Sequence, residues 1–399
     1  MGDDPVITGL GVLSALGNDY AEFKTNLFAA RSAIRVDPGI DMLGVGAPLS
    51  GISFEDHFSR RDLAELDPFS RYAAIAAREA ATMAGLTEEG SLIAPPHRRA
   101  VIVGSANGGL EVLTEGYRRI FRDGQDRLSP RTIPRNMFSA AASRVAREQA
   151  AQGPVFGVSS ACSSGAHAIS LGKLLLKAGA CDIAIVGGTD SCFDLGYLRA
   201  WYSIGIVDAA PCRPFSKDRA GISLGEGAAV LILETPAHAE ARGARPLARL
   251  AGAGMSSSTG ALVQSDPAGM VASMRHALED AGTSASDIGH LNANGTATPA
   301  NDQAEAEAIR QVFPDRGPVV SSTKGLHGHA MGATGAIEAV ATIAALEEQL
   351  VPAMPDTIRH DDAIDLDLAI AKPRATNLGW AMSNNFGFGG MNVSLVFCR

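Results

Sequence analysis

A chain of 399 residues with 46% hydrophobic and 19% charged positions has enough apolar material for a sizeable core and too much for a disordered polymer. Its formal charge of −9 argues against nucleic acid as the main partner. Aromatic content of 5% beside 44 glycines points to close backbone packing and many tight turns.

In chain order, the acidic start Met1-Gly2-Asp3-Asp4-Pro5-Val6 matches no signal peptide, and Val6 spoils a myristoylation pattern. Residues 5–11 read as a buried strand and 20–30 as a helix. Gly9-Leu10-Gly11-Val12-Leu13-Ser14 approaches a dinucleotide fingerprint. Ser14 holds the third glycine position and no acidic partner follows, so that reading is rejected. Residues 67–85 predict an alanine-rich helix and 100–104 a strand. Between 117 and 135, Arg118, Arg119, Arg122, Arg127, Arg131 and Arg135 face only Asp123 and Asp126. Such a reversal of sign is either a solvated face or a docking patch for an acidic partner.

Residues 154–158 read as a short extended run, 181–188 as a buried strand ending in Gly187-Gly188-Thr189-Asp190, and 228–233 as an apolar strand. The polar stretch 237–246, with Pro236, Gly243 and Pro246, marks the expected boundary between halves 1–245 and 246–399. Beyond it come strands at 248–252, 288–293, 319–321, near 381 and at 393–397, with helices at 266–281, 301–313 and 332–350. This alternation predicts an α/β fold of parallel sheets wrapped by helices. The most apolar helix, 333–346, is interrupted by Glu338 and too short to span a bilayer. Five scattered cysteines (Cys162, Cys181, Cys192, Cys212, Cys398) form no metal-ligand spacing and suit a reducing cytoplasm.

The chemistry concentrates at Val158-Ser159-Ser160-Ala161-Cys162-Ser163-Ser164-Gly165-Ala166-His167, where a strand turns into a helix. Cys162 at that bend faces the positive end of the helix dipole, which favours thiolate and marks a nucleophile. His57, His97, His238, His276 and His360 read as surface residues, and His167 as a satisfied core residue. Ser321-Ser322-Thr323-Lys324 fits S-x-x-K but lacks the K-T-G and S-D-N partners, so a serine-hydrolase reading is discarded.

The run 160–167 resembles the active-site elbow of the β-ketoacyl synthases, the condensing enzymes of fatty-acid and polyketide synthesis, and the resemblance continues in order over nearly the whole chain. It implies a thiolase-like fold of two similar α/β halves with mixed sheets in αβαβα layers. It also implies acyl transfer from acyl carrier protein to Cys162, followed by decarboxylative condensation with a malonyl-type thioester, with no metal or bound cofactor. Lys324-Gly325-Leu326-His327-Gly328-His329 resembles the family's lysine–histidine motif, which makes His329 catalytic, Lys324 its electrostatic companion and Glu338 the buried acid of that network. Asn384-Asn385-Phe386-Gly387-Phe388-Gly389-Gly390-Met391-Asn392 resembles the loop whose phenylalanine gates the acyl channel. Phe388 would add its N–H to that of Cys162 in an oxyanion hole, Phe386 and Met391 would shape the pocket, and Met391 stands where threonine is usual. Thr296 and Thr298 would hold phosphopantetheine amides. Arg118, Arg119, Arg122, Arg127 and Arg199 would dock the carrier, a homodimer or a ketosynthase-like heterodimer being the expected assembly. In Pro211-Cys212-Arg213-Pro214-Phe215-Ser216, Ser216 replaces the family's usual acid.

One departure matters most: Asn294 occupies the place of the family's first catalytic histidine, in Asn294-Gly295-Thr296-Ala297-Thr298. An amide donates but carries neither proton nor charge. His290 cannot substitute, because four strand residues put it roughly 13 Å away. Three outcomes stay open. Asn294 and His329 together support condensation, slowed by the about 3–4 kcal/mol that one lost donor costs; decarboxylation is lost and a non-elongating acyltransferase remains; or the replacement traps a bound substrate. A reading from a different class is a non-catalytic partner subunit of a ketosynthase pair, although such chains typically lack the nucleophile that Cys162 supplies.

Overall fold

The computed structural model describes residues 3–37, 44–86, 94–260, 265–313, 317–357 and 359–399. Its apolar runs form ten strands joined in one hydrogen-bonded array. The first part of the chain supplies β1 (Val6–Ser14), β2 (Arg99–Gly104), β3 (Val155–Val158), β4 (Ile183–Asp190) and β5 (Gly227–Glu234), in the order β3-β2-β4-β5-β1. The second part supplies β6 (Ala248–Ser257), β7 (Ile288–Asn292), β8 (Val319–Ser321), β9 (Trp380–Gly387) and β10 (Met391–Cys398), in the order β8-β7-β9-β10-β6. The two orders are the same path taken twice, a repeat that side-chain identity conceals. They meet where Val6 pairs with Arg249 and Ile7 with Ala248.

The sheets are mixed, as the resemblance implies, which corrects the parallel sheets read from the alternation of elements alone. β2 runs parallel to β3 and β4, and β7 to β8 and β9, whereas β5, β1, β10 and β6 are antiparallel to their neighbours. The tight connection from Gly387 to Met391 makes β9 and β10 a hairpin, which requires no crossover helix.

Helices α1 (Pro68–Met83), α2 (Ser164–Lys177), α4 (Pro267–Ala281) and α5 (Thr334–Glu348) carry the layers, while α3 (Leu195–Ile204) lies outside them. α1 covers the outer face of the first sheet, and α4 that of the second. α1 comes close because β1 carries glycine: a Cβ on Gly11 would stand 1.9 Å from the Ala76 carbonyl oxygen. α5 is buried from Thr334 to Leu346 and shares one core with α2 and strands of both halves, so these two helices form the middle layer. The result is the expected αβαβα stack. Three helices that the sequence reading did not separate, Leu110–Phe121, Ala140–Glu148 and α3, are amphipathic surface elements. No helix among the described residues is long and apolar enough to cross a membrane.

One buried cation crosses the middle layer. Lys173 of α2 donates to Asp280 Oδ2 (2.6 Å) and to the Ala251 carbonyl of β6. Lys173→Ala should lower unfolding stability by about 2 kcal/mol, less than for a sealed pair because Asp280 keeps about a third of its surface in water. Urea titration of both forms measures it.

Candidate active site

The turn between β3 and α2 is held by its own serines. Ser160 N–H donates to Ser164 Oγ (2.9 Å), Ser163 Oγ to the Ser160 carbonyl (2.8 Å) and Ser164 Oγ to the Ala161 carbonyl (2.6 Å). Ala161 takes φ +52°, a left-handed conformation that turns the chain sharply and sets Cys162 just ahead of the helix. Cys162 is 8% exposed. Its thiol does not behave as the dipole argument predicts. Burial pushes it up to about 11, against the pull of the Lys324 charge and of the Phe388 and Cys162 backbone N–H groups. Desolvation of a thiolate in an apolar pocket outweighs one helix terminus. Cys162 therefore rests as the thiol, beside two N–H donors suited to an oxyanion.

His329 is fixed from the other half of the chain: its N–H donates to the Ser223 carbonyl (2.8 Å) and its carbonyl accepts Gly225 N–H (2.9 Å). Met331 N–H donates to His329 Nδ1 (3.2 Å), and Thr334 Oγ1 lies 2.9 Å from the same nitrogen. A backbone N–H only donates, so Nδ1 offers its lone pair and the ring proton resides on Nε2. Burial, then the Lys324 charge, holds this pKa well below the usual range, so the ring is neutral. It is a hydrogen-bond donor, not a cation.

Lys324 Nζ donates to Glu338 Oε1 (2.7 Å), to the Asn294 carbonyl (2.5 Å) and, longer, to Asn294 Oδ1 (3.4 Å). Glu338, raised to about 7 by burial despite that ammonium, also accepts from Asn385 Nδ2 (2.5 Å). Since lysine cannot accept, the Asn294 carboxamide must turn its oxygen toward Lys324. Its Nδ2 then points to Asn301 Oδ1 (3.0 Å) and the Phe386 carbonyl (3.4 Å). Both amide hydrogens are engaged with protein acceptors.

Cys162, His329, Thr296, Thr298, Phe386 and Phe388 converge on one cavity of about 230 Å³. The Thr296 and Thr298 hydroxyls lie 3.0 Å apart. Asn294, Lys324 and Glu338 lie behind this surface, and Met391 starts β10 outside it. Several contributors escaped the sequence reading. Trp201, stacked on Phe388 at 6.0 Å, lines the apolar wall with Ile206 and Ile222. Asn301 reaches the cavity. Glu305 accepts the N–H groups of Asn294 (2.8 Å) and Gly295 (2.7 Å), and Asp302 those of Phe215 (2.8 Å) and Ala297 (3.1 Å), so two buried acids shape the threonine loop. Two acids three residues apart, Asp302 and Glu305 on the helix Pro299–Val312 that follows the loop, were the available signal.

His167 has a partner in Ser160 Oγ (2.9 Å), as expected, but is half-buried and not a core residue. His238 is not a free surface residue: it is half-buried and bonded to Glu234 (2.6 Å). All five docking candidates, Arg118, Arg119, Arg122, Arg127 and Arg199, are exposed, and Arg118 and Arg119 both pair with Glu115. Among the described residues, no group of three or more His, Cys, Asp or Glu is arranged to hold a metal ion.

Residues 3–239 match the model of the beta-ketoacyl synthase N-terminal domain, and 247–357 that of the C-terminal domain. The chain belongs to the β-ketoacyl synthase family. Among relatives of this ketosynthase, nodulation protein E of Rhizobium sp. (strain N33) is 38% identical over 98% of both chains. The 3-oxoacyl-[acyl-carrier-protein] synthase 2 of Mycobacterium tuberculosis (strain ATCC 25618 / H37Rv) is 33% identical over 99% of this chain and 97% of that one. The crystal structure of a beta-ketoacyl synthase from Burkholderia phymatum STM815 superposes with TM-score 0.93 at 31% identity, over all of both chains. A type II polyketide ketosynthase solved in complex with its acyl-carrier protein gives TM-score 0.91 at 25% identity, again over all of both chains.

Alkylation by iodoacetamide should follow the raised thiol of this synthase, its rate still climbing above pH 9 toward a midpoint of about 11. Lys324→Met should move the profile to higher pH, because the ammonium favours thiolate. Rates measured across pH on both proteins check the shift.

Proposed function

We propose that this ketosynthase takes an acyl group from acyl carrier protein onto Cys162 and condenses it with a malonyl-type thioester to give a 3-oxoacyl carrier thioester. The observation that carries this reading is the convergence of the Cys162 thiol, the Nε2–H of His329, the Phe388 backbone and the threonine pair on one cavity.

In the first half-reaction the Cys162 sulfur attacks the carrier thioester. The Cys162 and Phe388 N–H groups hold the oxyanion, and the thiol's proton ends on the departing carrier sulfur. In the second, the Nε2–H of His329 donates to the extender's thioester carbonyl as carbon dioxide leaves. The resulting enolate carbon attacks the acyl group, and the Cys162 thiolate is expelled and reprotonated. A neutral histidine suits this step, since it stabilises the enolate without protonating the carbon that must attack. Thr296 and Thr298 suit the amides of the phosphopantetheine arm.

A second reading has a specific observation behind it. Both hydrogens of the Asn294 amide are taken by Asn301 and Phe386, so an extender carbonyl would rely on His329 alone. If one donor is insufficient, acylation survives and condensation does not, leaving an acyltransferase.

Acyl carrier protein is the partner in this reading, with the exposed Arg118, Arg119, Arg122, Arg127 and Arg199 as candidate contacts. A second ketosynthase-like chain, identical or not, would cover the exposed Phe121, Ile133 and Phe138. The proposed halves are 1–245, carrying the nucleophile, and 246–399, carrying Asn294, His329 and the Phe388 loop. Five free cysteines fit a cytoplasmic setting.

Octanoyl carrier and malonyl carrier supplied together should yield the two-carbon-longer 3-oxo product, read by mass spectrometry. An acylated protein with no such product overturns condensation in favour of the acyltransferase. Asn294→His should raise carbon dioxide release by about 10²-fold, the worth of one restored donor; an unchanged rate would show that Asn294 is not the limit.

A further inference from the structure

Asp190, at the end of β4, is fully buried and takes no part in the chemistry above. Its carboxylate gathers four donors from two separate turns. Oδ1 accepts Ser105 Oγ–H (2.7 Å) and Asn107 N–H (3.1 Å), and Oδ2 accepts Ala106 N–H (2.9 Å) and Gly332 N–H (2.7 Å). Residues 105–107 follow β2, and Ala106 packs in the apolar cluster that contains Cys162. Gly332 lies three residues after His329, next to the Met331 whose N–H fixes the imidazole.

We propose that Asp190 is the positioning residue for His329: by tying Gly332 N–H to the 105–107 turn, it holds the strained turn that aims Met331 N–H at His329 Nδ1 and so keeps the ring proton on Nε2, facing substrate. The inference rests on the condensing reading only for its kinetic consequence.

Three observations support it. Met331 adopts φ +48°, a conformation a non-glycine residue keeps only where its surroundings enforce it. The enforcing contact on its C-terminal side is the Gly332–Asp190 hydrogen bond. No side chain fits there: a Cβ on Gly332 would stand 2.5 Å from Ala106 N and 2.7 Å from Asp190 Oδ2. Finally, all four donors are N–H or O–H groups that a carboxylate can serve and a carboxamide cannot. An asparagine in either orientation would set its NH₂ against the N–H groups on one side.

The test uses Asp190→Asn, with Gly332→Ala as a second variant that breaks the same tie without removing the charge. Nitrogen-15 NMR of the histidine rings, assigned with His329→Gln, reads the tautomer directly and needs no turnover. The unaltered protein should show His329 protonated on Nε2, and both variants a mixture of tautomers. Carbon dioxide release from malonyl carrier should fall about tenfold or more in kcat with little change in KM, because the donor is misaimed and not removed. The two variants should differ in one respect: only Asp190→Asn, which removes a negative charge near Cys162, should shift the alkylation profile to lower pH. An unchanged His329 ring signal in both variants overturns the proposal. So does a parallel loss of acylation and decarboxylation with a lowered Tm and the tautomer intact, which would make Asp190 a merely structural residue. If the unaltered protein releases no carbon dioxide, the condensing reading falls alone, and the ring signal still decides the role of Asp190.

Discussion

The ammonium of Lys324 is almost wholly removed from water and lies behind the cavity, bonded to Glu338 and Asn294. A buried cation persists only if its hydrogens are satisfied and its charge is matched, and Glu338 on α5 provides the match at 2.7 Å. Much else follows from this one charge. It orients the Asn294 carboxamide by accepting nothing, it helps keep His329 neutral, and it favours ionisation of a thiol that burial opposes. Glu338 lies on the central helix that packs against both sheets, so the electrostatic centre and the mechanical centre of the fold coincide.

The site thus works by preorganised neutral donors in a water-poor cavity. Neither the thiol nor the imidazole is charged at rest. In the proposed mechanism, reactivity comes from N–H groups and a ring N–H aimed at positions where negative charge develops, which is where low dielectric makes fixed dipoles most effective. Asn294 is likewise neutral and spends both its amide hydrogens on Asn301 and Phe386.

Much of this was legible in the chain. Short apolar runs with glycine breaks located most of the strands, and the serine-rich bend located the turn that carries Cys162, because local sequence dictates strands and turns. The repeat of strand order was not legible: β1 and β6 occupy equivalent places with different side chains, since a sheet path constrains apolarity and not identity. The thiol's direction was misjudged because a helix terminus is visible in sequence and desolvation is not. Trp201 and Asp190 were missed for a related reason, each acting across contacts between segments far apart in the chain, whereas Asn301 and Glu305 act on the loop just before their own helix. Met391 was drawn into the pocket by its neighbours in sequence, whereas the hairpin places it beyond the cavity.

The claim on which everything turns is that the sulfur of Cys162 becomes the acyl carrier. Incubation of the unaltered protein with acylated carrier, followed by digestion and tandem mass spectrometry, maps the adduct to a residue. A single thioester on the peptide containing Cys162 is the predicted result. An acyl group on another of the five cysteines, or on none, would contradict the account.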